Sequence, residues 1–193
     1  MALSRIHIHT TVEAYLAHNP GERGSLAPLL NALGGDPDPR SRDTAPGHIT
    51  CSAIVINNRR EVLHIRHKAT GKMLAPGGHN EADDISLAQA ALRELTEEAG
   101  ILPTAVSPLP GFDGAPIDID IHGIDANPAK NEPSHQHYDL RFPFPLAGGG
   151  PHAVTLQQDE VTGYESHPFS LTSSPTLRAK LTLIPPYALC PSI

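Results

Sequence analysis

Residues 93–100 read RELTEEAG: Glu94, Glu97 and Glu98 fall within five positions, with Arg93 as the one adjacent cation. On an α-helix each residue turns about 100°. With Glu94 at zero, Glu98 lies about 40° to one side and Glu97 about 60° to the other, so the three carboxylates share a face. Ile85, Ala88, Leu92, Leu95 and Ala99 follow a 3-4-3-4 spacing, a separate apolar stripe that can pack on a sheet. The spacing predicts a helix over 85–99 that ends with Gly100 in the left-handed C′ position.

The bland reading of such a face is a solvated one, with Arg93 paired to Glu97 at i,i+4. Several features weigh against it. The acids sit near the helix C-terminus, where the macrodipole disfavours negative charge, and their mutual repulsion has little local neutralisation. The helix also follows a glycine-rich loop, APGGHNEADD, which adds Glu81, Asp83 and Asp84. A hard divalent cation resolves the conflict, because Mg²⁺ takes carboxylate oxygens and keeps waters for a phosphate-bearing substrate.

Upstream of this helix, HITCSAIVIN is rich in β-branched residues, NNRR supplies a turn and EVLHIRH resumes, which predicts a hairpin from His48. Downstream, IDIDIHGI (117–124), HQHYDLRFPF (135–144) and AVTLQ (153–157) read as strands. Pro143 confines the end of the second to an edge or a bulge. A closing helix is expected over 174–184, stopped by Pro185 and Pro186. Before the hairpin, residues 10–34 read as two helices broken at Pro20-Gly21, with Ser25 capping the second, and 36–47 is a turn-rich linker. Residues 1–47 thus form a helical extension and linker, too small for a core of their own, and 48–193 the main domain. Strands with few helices in mixed order predict an α/β fold, α+β or an α/β/α sandwich around a mixed sheet.

The 193 residues fit one domain with peripheral decoration. A formal charge of −7 argues against a nucleic-acid duplex or acidic membrane as partner, though a bound cation can reverse the local sign for a small phosphate ligand. No stretch approaches the ~18 apolar residues of a membrane span, and MALSRIHIHTT lacks a signal peptide's apolar run. Cys51 and Cys190 show no metal or redox spacing and read as lone reduced thiols. Together these predict a cytoplasmic protein.

The stretch from Gly78 to Ile101 resembles the Nudix box, G-x5-E-x7-R-E-U-x-E-E-x-G-U with U apolar. Arg93 to Ile101 matches at every specified position, whereas the early acidic position falls on Asp84 and eight residues, not seven, precede Arg93. Pro76-Gly77-Gly78-His79 is also typical of the family. The wider text, from GHITCSAIVIN through ATGK, PGGH, DIDIH, NPAKNEP and HQHYDLRF to TLRAKL, is similar to a bacterial subgroup for which the resemblance carries no substrate. It implies the Nudix α/β/α sandwich, with the N-terminal helices outside the common core. It also implies hydrolysis of a small nucleoside diphosphate derivative by water attack on phosphorus, with Mg²⁺ or Mn²⁺ as cofactor. Carried over residue by residue, Glu97 and Glu98 would be metal ligands, Glu94 a ligand or the general base, and Arg93 the group that holds a glutamate in place. Gly78 and Gly100 would permit the loop and helix-end geometry, and Asp84 stands at the early acidic position as a candidate ligand.

The family often uses a further acid beyond the box, for which Glu160 in Asp159-Glu160 is the candidate; the alternative is a pair of solvated acids at a strand end. His135 and His137, at i and i+2 on a strand, face one side. They read as a transition-metal pair, as hydrogen-bonding groups lining a substrate cleft, or as structural residues, and Arg141 continues their face toward a possible phosphate. His64, Arg66 and Lys68 alternate in the same way and face ligand or water; His7 and His9 read as exposed. ATGK lacks the P-loop spacing. The rival function is a catalytically silent Nudix domain that senses a nucleotide, but residues 1–47 show no helix-turn-helix to act as an output. Isomerase chemistry lacks a suitable cysteine context.

Overall fold

Nine of the ten residues of β1 (Gly47–Ile56) are buried, as the β-branched run predicts, and the sheet is built around it. The computed structural model describes residues 3–68, 70–128, 131–147 and 154–189. The turn at 57–60 leads from β1 to the antiparallel β2 (Glu61–His67); Asn57 Oδ1 accepts from the Arg59 and Glu61 amides and so fixes the hairpin. β2 pairs with β3 (Met73–Leu74), and β4 (Gly77–His79) pairs antiparallel with β1. On its other side β1 runs parallel to β6 (His135–Pro145), which pairs antiparallel with β5 (Asp118–Ile124). The path is β3-β2-β1-β6-β5, with β7 (Val161–Pro168) also on β2, making a seven-stranded mixed sheet.

Alternation gives the sheet two apolar faces. On one, Ile49, Cys51, Ala53 and Val55 of β1 join Tyr138, Leu140, Phe142 and Phe144 of β6 beneath α3 (Leu87–Ala99). On the other, Ile54, Ile56 and Val62 pack against Leu177 and Leu181 of α4 (Pro175–Leu183). The expected α/β/α sandwich around a mixed sheet is therefore present.

The N-terminal extension contributes α1 (Arg5–His18) and α2 (Ala27–Gly34), whose Ile8, Val12, Leu16, Leu29 and Leu33 enter the core that α3 covers. A segment too short to bury its own apolar face has taken the sheet's. α1 begins at Arg5 rather than at residue 10, because Ser4 caps it by accepting from the His7 amide; His7 and His9 are exposed as expected. Ser25 does not cap α2: its hydroxyl donates to the Glu22 carbonyl and the helix starts at Ala27.

The strand expected over 153–157 is absent among the described residues; Ala153 lies outside them. Thr155 and Gln157 donate instead to the carbonyls of Ala99 and Glu98, satisfying acceptors that a helix end leaves open. The sheet takes β7 in its place, a polar, mostly exposed strand with little apolar alternation. Pro143 behaves as its chemistry requires. The amides of Gln136 and Leu146 donate toward β1, so odd-numbered amides of β6 face the β5 side, and β5 starts only at Asp118, opposite Arg141. The missing N–H at Pro143 therefore falls beyond the ladder. Cys51 is a buried free thiol; Cys190, Ala69 of ATGK, and Ala129 and Lys130 of NPAKNEP lie outside the described residues.

Gly100 follows α3 at φ +66, and a Cβ there would lie 2.8 Å from the Thr155 carbonyl oxygen. Gly100→Ala is expected to cost about 1–2 kcal/mol for the left-handed backbone, plus the displacement of Thr155, read as a lower Tm in a thermal melt.

Candidate active site

Ser86 caps α3 by accepting from the Gln89 amide, while the Gln89 side chain accepts from the Ile85 amide, so the helix starts at Leu87. Ile85 is exposed and outside the helix. The buried stripe is Leu87, Ala90, Ala91, Leu95, Glu98 and Ala99; it is rotated from the expected one, sharing Leu95 and Ala99 with it, while Ala88 and Leu92 pack against the core half-buried at its edge. The rotation carries Glu98 inward. Its Oε2 accepts from the Gly77 amide of β4 at 2.8 Å, because β4 lies under the helix and the next strand residue has no side chain to keep them apart.

That residue is Gly78, where a Cβ would sit 2.6 Å from Glu94 Oε1; the absent methyl is the space in which the Glu94 carboxylate lies. Glu97 is the outermost of the three, with its side chain 49% exposed. The carboxylates thus fan from the sheet to solvent. Arg93 binds both Glu94 and Glu97 at 3.0 Å, donates to the His79 carbonyl at 2.7 Å and pairs with Asp84 at 3.2 Å. Asp84 is buried and also accepts from the Glu81 amide. The i,i+4 pair of the bland reading exists, but one guanidinium is shared among several acids.

The electrostatics follow from burial. Burial pushes the Glu94 carboxyl up to about 7 against the pull of Arg93, with Glu97 and Glu81 adding repulsion. Burial also pushes Glu98 up to about 7 despite the Gly77 amide, with Glu94, Glu160 and Glu97 adding to it. Burial disfavours the charged Arg93, but Asp84 and Glu94 outweigh it and hold its pKa above the ordinary arginine value. Glu160 is exposed in the turn before β7, where its carbonyl accepts from the Lys68 amide, and it is near enough to act on Glu98. A shallow groove lined by Lys68, Thr155, Gln158 and Thr162 runs beside this turn.

A carboxyl whose pKa is raised on folding contributes stability that is present below its unfolded value and lost as pH rises through the folded one. For Glu98 that window runs from 4.5 to about 7. In metal-free protein, Glu98→Gln is therefore expected to melt progressively higher relative to wild type as pH goes from 5 to 8. Paired melts across that range check it, and a constant difference sinks the idea.

The donor set is all oxygen, which suits Mg²⁺ or Mn²⁺, and the space beside Gly78 leaves the Glu94 carboxylate unblocked. The three carboxylates are not drawn into a closed cage: among the described residues, the one trio of ligating side chains with all donor atoms within 4.8 Å is His48, His135 and His137.

The other candidates lie elsewhere. Arg66 is exposed and paired with Glu165 across β2 and β7 at 3.3 Å. His135, His137 and Arg141 occupy the odd positions of β6, whereas its even positions pack under α3. Their side chains therefore lie on the opposite face of the sheet from α3, and the structure does not bring them together with the glutamates. Arg141 is held at 3.0 Å by each of Asp118, Asp120 and Asp139. His48 and His79, which join His135 and His137, escaped the sequence reading, because only the sheet registers place them there, β1 parallel to β6 and β4 antiparallel to β1. Burial and the neighbouring imidazoles push His79 down to about 4 and His137 to about 3.

The NUDIX domain model matches residues 46–179. The chain belongs to the Nudix family. A relative from Lactococcus lactis subsp. cremoris (strain MG1363), named "Probable DHNTP pyrophosphohydrolase", is 31% identical over 94 residues, 49% of this chain and 51% of the relative. The chain thus spans about half the length of that relative. Among solved structures, the MutT protein from Methanosarcina mazei Go1 is 20% identical at a TM-score of 0.49, over 69% of this Nudix chain and 89% of that one. The E. coli dihydroneopterin triphosphate pyrophosphohydrolase is 14% identical at 0.49, over 70% and 94%. Among the described residues, no helix is long and apolar enough to cross a membrane.

Proposed function

We propose that this Nudix protein is a pyrophosphohydrolase that cleaves a diphosphate linkage in a small nucleoside diphosphate derivative or a related triphosphate, using Mg²⁺ or Mn²⁺. The observation that carries the reading is the pair Glu94 and Glu98, two largely buried carboxylates on one helix, of which Glu94 shares Arg93 with other acids and Glu98 accepts from the Gly77 amide. Glu97 and Glu98 would hold the metal, with Glu94 as a further ligand or as the base; Asp84, already engaged by Arg93, and Glu160, beside Glu98, are the reserve candidates. Bound there, the metal supplies neutralisation of phosphate oxygens and a more acidic water.

The chain's own residues account for the rest. Glu98 is oriented by the Gly77 amide and Glu94 is steadied by Arg93. Water attacks phosphorus, the bridging P–O bond breaks, and Glu94 accepts the water's proton; a pKa near the working pH suits that task. The name of the Lactococcus relative puts a pterin triphosphate among the compounds to try.

The test is phosphate and pyrophosphate release from a panel of nucleoside triphosphates, nucleoside diphosphate derivatives and dihydroneopterin triphosphate, with Mg²⁺ or Mn²⁺ and with chelator. Turnover of at least one compound that chelator abolishes is expected. No turnover of any, alongside metal-dependent binding of one, would replace the enzyme with the sensing domain.

A further inference from the structure

On the face of the sheet opposite α3, four histidines from three strands meet. His48 of β1 stands opposite His137 of β6 in the parallel ladder, and His79 of β4 stands opposite Thr50, two residues along from His48. His135 lies two residues before His137, so all four point to one side. One ring nitrogen from each of His48, His135 and His137 lies within 4.8 Å of the others. The Nε2 atoms of His135 and His137 are 3.3 Å apart, and those of His48 and His79 are 2.9 Å apart.

The 3.3 Å spacing has a chemical meaning, whereas 2.9 Å between His48 and His79 is a hydrogen-bond distance. Two imidazole nitrogens bound tetrahedrally to one Zn²⁺ at ~2.0–2.1 Å sit ~3.3–3.4 Å apart. The surroundings also fix the rings. His48 is 2% exposed, and His135 Nδ1 lies 2.9 Å from the Pro133 carbonyl. That contact makes Nδ1 the donor and leaves the Nε2 lone pair facing His137, as outer partners do for ligating histidines. Among themselves the four imidazoles can make only pairwise N–H···N bonds, and His122, opposite His137 in the β5–β6 ladder, is already engaged by Asp120 at 2.9 Å, whereas a shared cation uses the lone pairs that the cluster leaves facing one another.

We propose that this cluster is a transition-metal site that takes Zn²⁺ through His48, His135 and His137, with His79 as the fourth donor. Imidazole nitrogen selects Zn²⁺ and its neighbours in the series, while the all-carboxylate set on α3 selects Mg²⁺ or Mn²⁺. β4 carries Gly78 on the α3 side and His79 on the other, so the two metal chemistries share a strand and not a face.

The test uses the full chain, stripped of metal and titrated with Zn²⁺ by calorimetry in excess Mg²⁺. Wild type and Glu97→Gln are expected to bind one equivalent alike, and His135→Ala to bind about 100-fold or more weakly. Equal affinity in His135→Ala, loss in Glu97→Gln, or no binding by wild type overturns the site. Co²⁺ added to unaltered protein decides independently should His135→Ala fail to fold. An intense tetrahedral visible spectrum supports the site, and the weak spectrum of octahedral oxygen coordination, or none, rejects it.

Discussion

Glu97→Gln is expected to cut metal-dependent turnover about 10²–10³-fold, ~2.7–4 kcal/mol of transition-state stabilisation, the range for losing one preorganised electrostatic group. The fold should hardly notice. The Glu97 side chain is half exposed and paired with Arg93 at 3.0 Å, and an exposed i,i+4 pair contributes only about 0.3–0.5 kcal/mol. The substitution keeps the shape and the carbonyl oxygen but removes the charge a divalent cation needs. Steady-state kinetics at saturating Mg²⁺ should show the loss in kcat, and the metal concentration for half-maximal rate should rise. Glu98→Gln should lose a similar amount of activity while behaving differently in stability, since its carboxylate is buried and gains from neutralisation at high pH. Turnover that survives both changes would place the metal away from α3.

The contrast between these two glutamates shows where the sequence speaks and where it stops. The glutamate face, the helix and its glycine stop were legible because each rests on local chemistry: charge crowding, 3.6-residue periodicity and a left-handed C′ position; the box was legible by its resemblance to the family pattern. The rotation of α3 was not. The 3-4-3-4 count includes Ile85, which Ser86 leaves outside the helix by capping at Leu87, and only the sheet below shows that Glu98 faces inward. β7 escaped for a related reason: its residues gain their strand conformation from the β2 ladder, while in AVTLQ, the better local pattern, Thr155 and Gln157 close the end of α3 instead. His48 and His79 are the strongest case. They lie 31 residues apart, and both are far from His135 and His137; the parallel β1–β6 and antiparallel β1–β4 registers that unite them are a property of the whole topology.

Arg141 was legible as a cation on the His135–His137 face, and its three-aspartate setting leads to the second large effect. Its guanidinium donates separately to Asp139 through Nε, to Asp118 through one terminal nitrogen and to Asp120 through the other, each at 3.0 Å. Asp118 is fully buried and Asp139 nearly so; Lys180 reaches Asp118 at 2.7 Å, and Ser52 donates to Asp139 at 2.9 Å. Arg141→Met keeps the stem and removes the charge, which leaves Asp139 buried without its cation and Asp118 with Lys180. Breaking a buried pair this way costs about 3–5 kcal/mol, or a Tm lower by roughly 6–20 °C in a domain of this size. Arg141→Lys should recover only part of it, because a single ammonium cannot span three carboxylates in a plane. Adding Asp139→Asn to Arg141→Met should return some stability, since the cost lies in the stranded charge more than in the lost arginine. A thermal melt of the three variants at pH 7 separates the cases: an Arg141→Met protein within 2 °C of wild type would mean the aspartates are solvated, and the network would then contribute little to holding β5 against β6.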